Sequence, residues 1–189
     1  WIGIELDKTA LPVTAPFFVL TLRCGKDGLG VLSERSTERA YLRVRVSLPA
    51  DAVIPPDPDG WISLFNGKDL SGWELRPAGF PAKVENGLLR LDGSERIETS
   101  GKMYWRGSGA DLPVFTDFEV MATVKTERKG NSGIFLHSHP VRGNGVEVQI
   151  WNDSSKGTKG HTGSLQRISP LLSSRFRDGD WIQVKARVE

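Results

Sequence analysis

The most regular pattern along the chain is alternation. In FEVMATVKT, residues 118 to 126, Phe118, Val120, Ala122 and Val124 alternate with Glu119, Met121, Thr123 and Lys125. This is the period of two that a strand with one face on a core produces. Residues 181 to 189 repeat it, with Ile182, Val184, Ala186 and Val188 set against Gln183, Lys185 and Arg187. Shorter runs predict strands at 61 to 65, 83 to 91, 133 to 138 and 146 to 151, and long stretches at the i, i+3, i+4, i+7 spacing of a helix are missing. Strands at this spacing with turn residues between them predict an all-β fold, an antiparallel sandwich or jelly roll.

The segment VIPPDPDG, residues 53 to 60, has the restricted backbone of a stiff, extended connector. A boundary placed there divides the chain into a β-rich N-terminal unit, or the tail of a preceding domain, over 1 to 52, a linker over 53 to 60, and a main domain over 61 to 189. Within the first part, WIGIELD, FFVLTLRC and YLRVRVSLP predict three strands. The loop CGKDGLG, residues 24 to 30, lacks the lysine and Ser/Thr ending of a phosphate-binding loop and reads as a hairpin turn. The chain opens on Trp1 without a signal segment and closes on WIQVKARVE, a strand pattern with no closing turn. The natural protein is therefore expected to continue past Glu189 as part of a larger multidomain chain.

Composition narrows the partners. Among 189 residues, 25 basic and 23 acidic side chains are interspersed rather than blocked, which predicts no nucleic-acid role. No apolar run approaches the length of a membrane helix, so no membrane span is expected. One cysteine, Cys24, excludes an internal disulfide framework and leaves the compartment open.

Candidate chemistry gathers in three places. In GVEVQIWND, residues 145 to 153, inward packing of Val146, Val148 and Ile150 would set Glu147, Gln149 and Trp151 together on the opposite face. Carboxylate and amide oxygens accept from sugar hydroxyls, and an aromatic face packs on the C–H side of a pyranose. The same row also reads as a solvated outer face. In GNSGIFLHSHP, residues 130 to 140, Phe135, His137 and His139 would share one strand face. Two histidines at i and i+2 can reach one metal, so a divalent cation, with Glu147 and His161 as further ligands, is the one cofactor this pattern admits. Surface or hydrogen-bonded histidines are the alternative. Asn131, Ser132 and Gly133 read as a tight turn leading into the strand, or Asn131 as a substrate contact. The glycine-rich KGTKGHTGSLQR, residues 156 to 167, could lie over a site with His161 or serve as a plain connection. Nothing resembles a nucleophile elbow, a paired Ser and His, or the Glu-x-Asp-x-x-Glu array of many β-sandwich glucanases, and one glutamate stands alone on the 146 to 151 strand, which disfavours ordinary two-carboxylate glycoside hydrolysis. Trp61 and Trp73 read as packing residues, and Asn66, Gly67 and Asp69 as a turn between them.

The segments WISLFNGKDLSGWE (61 to 74), KVENGLLRL (83 to 91), DFEVMATVKTERKGNSGIFLHS (117 to 138), GVEVQIWND (145 to 153), HTGSL (161 to 165) and DWIQVKARV (180 to 188) resemble, in order, the signature segments of the 3-keto-disaccharide hydrolase domain family. The resemblance covers residues 60 to 189 and not 1 to 58. It implies a concanavalin A-like jelly roll with the ligand on the concave sheet, in an extracytoplasmic (periplasmic, secreted or surface) protein. It also implies cleavage of glycosides oxidised to a ketone at C3, by removal of the acidified C2 proton, elimination and hydration. On the matching positions it makes Glu147 and Gln149 the centre of a catalytic site that includes His137 and His161, with Asn131, His139, Trp151 and Asn152 contacting a carbohydrate substrate. The chain departs from the family where Asn152 stands in place of the usual Asp, and where Gln166 stands in place of a frequent Tyr. A noncatalytic carbohydrate-binding module is the alternative function on the same fold, and an interaction module of a surface protein a third.

Overall fold

The computed structural model describes residues 2–6, 21–24, 29–32, 42–46, 59–92, 101–106, 117–128, 130–138, 145–152 and 160–189. Their regular structure is all strand, with no helix. In chain order the strands are β1 (Ile2–Leu6), β2 (Thr21–Cys24), β3 (Leu29–Leu32), β4 (Leu42–Val46), β5 (Trp61–Ser63), β6 (Trp73–Arg76) and β7 (Ala82–Glu85), followed by β8 (Leu88–Leu91), β9 (Gly101–Trp105), β10 (Phe118–Thr126), β11 (Asn131–Leu136), β12 (Val146–Trp151) and β13 (Ile182–Val188).

These strands form two sheets. The larger has eight strands and runs β1-β13-β10-β3-β8-β7, with β4 bridging β10 to β5; the smaller has five and runs β12-β11-β2-β9-β6. Alternation explains how the sheets face each other. Val120, Ala122 and Val124 of β10 and Ile182, Val184 and Ala186 of β13 join one buried cluster with Met103, Ile134, Leu136, Val148 and Ile150 from the smaller sheet. Each buried Val, Ile, Leu or Met among them contributes about 1.5–3 kcal/mol by leaving water, so the period of two in the sequence supplies the packing energy that holds the layers together.

The long alternating segments fold as the sequence predicts, and shorter ones show where other forces win. Residues 83 to 91 are two strands rather than one. Asn86 and Gly87 take positive φ (53° and 76°) and fold β7 back on β8, with Val84 opposite Leu89. Asn-Gly is the pair that a two-residue hairpin of this hand demands. The hairpin expected at CGKDGLG does not form between its flanking strands. β2 pairs with β11 and β9 in the smaller sheet, whereas β3 pairs with β10 and β8 in the larger. Asn131, Ser132 and Gly133 are not a turn but the first three residues of β11, paired with Trp151, Ile150 and Gln149. The predicted turn at Asn66 is present: its Oδ1 accepts from the Lys68 and Asp69 amides at 2.8 and 3.0 Å, and Gly67 has φ 74°. Trp73 packs against the core, and its Nε1 donates to the Leu64 carbonyl at 2.7 Å. Residues 53 to 58 of the connector lie outside the described residues.

Candidate functional site

β12 sends Val146, Val148 and Ile150 into the core, and Glu147, Gln149 and Trp151 therefore occupy the opposite face of the smaller sheet. A freely solvated face would leave Glu and Gln accessible. Here Glu147 is 5% exposed and Gln149 1%, so the row is recessed and its polar groups have lost most of their water. Such groups need partners, because an unsatisfied buried donor or acceptor costs about 1–3 kcal/mol.

β11 supplies part of the answer. Its register sets Asn131 opposite Trp151, Gly133 opposite Gln149 and Phe135 opposite Glu147. Gln149 Nε2 donates to Asn131 Oδ1 at 2.9 Å, joining the two amides across the strands. The missing side chain at Gly133 leaves the space into which Glu147 leans, since a Cβ built there would lie 2.4 Å from Glu147 Oε1.

The other edge of β12 is held by the glycine-rich segment. The amides of Thr162, Gly163 and Gln166 donate to the carbonyls of Trp151, Gln149 and Glu147 at 3.0, 2.9 and 2.9 Å, and the Gln149 amide donates to the Ser164 carbonyl at 2.9 Å. The segment is therefore a turn-rich strip bonded along the edge of β12, with Leu165 bridged to Val148. It clamps the backbone of the same three residues whose side chains form the polar row, and it closes an edge that would otherwise stand unpaired. Its start is fixed by a buried network. The Trp151 amide donates to Thr162 Oγ1 at 2.8 Å, and that hydroxyl donates to Asn152 Oδ1 at 2.5 Å. Asn152 Oδ1 also accepts from Ser174 Oγ at 3.1 Å, and Asn152 Nδ2 donates to Thr126 Oγ1 at 3.2 Å. The side-chain amide of Asn152 is thus directed into the structure, tying β12 to β10 and to the segment.

The same ordering places His161. It is 4% exposed, with its ring 6.5 Å from that of Trp151. Among the described residues, His161 Nδ1 and Gln149 Oε1 are buried without a hydrogen-bond partner. His137 lies elsewhere. β11 ends at Leu136, and His137 takes φ 51°, so it does not continue the face of Phe135. Its ring packs 5.6 Å from that of Phe118 on the larger sheet. Burial there lowers its pKa, an effect the Asp117 carboxylate opposes. His139 lies outside the described residues. No three His, Cys, Asp or Glu side chains among those described gather closely enough to hold a metal ion. The grouping of Glu147, His137 and His161 expected around a cation is accordingly not formed there.

The face extends beyond the predicted residues. β9 adds Lys102 and Tyr104, and β6 adds Glu74 and Arg76, paired in register as Arg76 with Lys102 and Glu74 with Tyr104. Lys102 Nζ sits 4.7 Å over the Phe135 ring and the Arg76 guanidinium 5.4 Å over that of Tyr104. Glu74 receives Arg76 at 2.5 Å and Arg106 Nε at 2.6 Å. Burial opposes the charge on Glu74, but the two guanidiniums prevail and hold its carboxyl below the usual range; burial raises the Tyr104 phenol. Alternation in GKMYW and WELR carries this signal, although only the strand pairing joins it to β12.

An all-β sandwich whose smaller sheet carries a recessed row of carboxylate, amide and aromatic groups defines the class. The family described as the 3-keto-alpha-glucoside-1,2-lyase-like domain matches residues 60–189, and the chain belongs to it. A 3-keto-disaccharide hydrolase from Bacteroides thetaiotaomicron is 37% identical over 94 residues, 47% of this chain and 31% of that protein. The chain thus spans about a third of that relative's length. No solved structure matches it.

Proposed function

We propose that this chain forms the catalytic domain of an enzyme that cleaves glycosides carrying a ketone at C3, with Glu147 as the base. The observation that carries this reading is a carboxylate, the one buried on the recessed face among the described residues, beside the joined amides of Gln149 and Asn131. A 3-keto group acidifies the C2 hydrogen, so one base suffices. The carboxylate takes the C2 proton, and the electron pair of that C–H bond passes into a C2–C3 enolate. Collapse of the enolate forms the C1–C2 double bond and expels the aglycone oxygen from C1. Water then adds, hydroxyl to C1 and proton to C2. The Gln149 carbonyl and His161 Nδ1, buried without partners, suit the hydroxyls of a sugar, which would satisfy both. Trp151, half-buried at the end of the row, offers an aromatic surface to the ring.

Glu147→Gln tests the assignment by keeping size and removing basicity. Turnover of a 3-keto-glucoside should fall by about 10²–10⁴-fold with the melting temperature maintained; wild-type turnover would remove Glu147 from the mechanism. The same partnerless acceptors and the Trp151 surface also favour a second reading, noncatalytic carbohydrate binding. Binding of unoxidised oligosaccharides, with no product released from a 3-keto-glycoside, would decide for it.

A further inference from the structure

We propose that Gly133 is the positioning residue for the Glu147 carboxyl, an inference that rests on the catalytic reading above. Gly133 sits in the interior of β11, where its φ is not positive and any residue could follow the backbone. The reason for glycine there is therefore space. Glu147 stands directly opposite Phe135, but its side chain leans along the diagonal onto Gly133. A Cβ built on Gly133 would lie 2.4 Å from Oε1, 2.7 Å from Cγ and 3.0 Å from Cδ of Glu147. The contact with Cγ matters most, because turning the terminal carboxyl cannot relieve it. The whole side chain would have to adopt another rotamer.

Other directions are occupied. Phe135, with the Lys102 ammonium over its ring, walls the position directly across from Glu147. Gln149, held by Asn131, fills the next position along β12. With glycine at 133 the carboxylate lies across β11 against the position a Cβ would fill, which fixes where its oxygens sit. Gly101 is a useful contrast, since the nearest atoms a Cβ there would meet belong to the Phe80 ring, at 1.9 Å, in the apolar core. The position of Gly133 is on the polar row, and what it accommodates is the proposed base.

The test is Gly133→Ala in the full chain. The kcat on a 3-keto-glucoside should fall by about a hundredfold, the scale of an ångström-sized misplacement, with KM changed far less. In protein labelled with ¹³C-glutamate, the carboxyl resonance assigned by its loss in Glu147→Gln should titrate at a different pH in Gly133→Ala. Stability gives a readout that does not depend on activity or full folding yield: Gly133→Ala should destabilise the wild-type background and not the Glu147→Ala background. An unmoved titration with additive stabilities overturns the proposal whatever turnover does. If Glu147→Gln keeps wild-type turnover, the catalytic role of both residues falls, and the titration and the cycle then decide only whether Gly133 seats the carboxyl.

Discussion

Thr162→Val probes the link between the glycine-rich segment and the polar row. Thr162 is 2% exposed. Its hydroxyl accepts from the Trp151 amide at 2.8 Å and donates to Asn152 Oδ1 at 2.5 Å. Valine keeps the β-branched shape and removes both bonds. The Trp151 amide then loses its acceptor, at about 1–3 kcal/mol, and Asn152 Oδ1 loses one of two donors, at about 0.5–1.5 kcal/mol. The sum is about 1.5–4.5 kcal/mol, or roughly 3–18 °C in melting temperature for a chain of this size. Urea unfolding measures the first figure and calorimetry the second. Thr162→Ser, which keeps the hydroxyl, should lose much less. Hydrogen exchange should locate the effect in the Gly163 and Gln166 amides, which donate to β12. A Thr162→Val protein within about 0.5 kcal/mol of wild type, the range of an ordinary surface change, would refute the network as the tether of the segment.

Further predictions follow from pairing and burial. β2 lies between β11 and β9 in the sheet that carries the site, so deletion of residues 1–58 should abolish cooperative unfolding; a fragment over 59–189 with a sharp transition would refute that pairing. His137 has a folded pKa lowered by burial, so the unfolded chain binds its proton first as pH falls. Stability should therefore be complete above about 6.5, the ordinary imidazole value, and decline below it towards the folded value. His137→Asn, which tolerates the positive φ, should flatten that decline in urea midpoints between pH 7 and 5; an unchanged slope would mean that His137 is not its source.

What could be read from sequence was set by the range of the interaction. β10, β12 and β13 alternate over six to nine residues, so one side of each run had to be core, and Glu147, Gln149 and Trp151 followed on the other. Where two local signals competed, the reading went astray. Apolar residues on both sides of Asn86-Gly87 hid a hairpin, and the turn-like composition of Asn131–Gly133 gave way to pairing with β12. Alternation was carried past Leu136, where the strand ends and the left-handed backbone of His137 turns the chain away. Lys102, Tyr104, Glu74 and Arg76 were missed for a different reason. Their strands are four or five residues long and reach the same face only through long-range pairing, which no local period records. Gly133 shows the same limit, since its role depends on a side chain from another strand.

In the proposed reaction the Glu147 carboxylate removes the proton at C2. The most direct test of that step is turnover of a 3-keto-glucoside in deuterium oxide by the wild-type chain and by Glu147→Gln, with the released 3-keto sugar analysed by mass spectrometry and proton NMR against an enzyme-free exchange control. Abstraction at C2 followed by hydration from solvent predicts deuterium at that carbon in the wild-type product, and product and label formed about 10²–10⁴-fold more slowly by the variant. Product that keeps its C2 hydrogen, or a variant that labels and cleaves as fast as wild type, would contradict it.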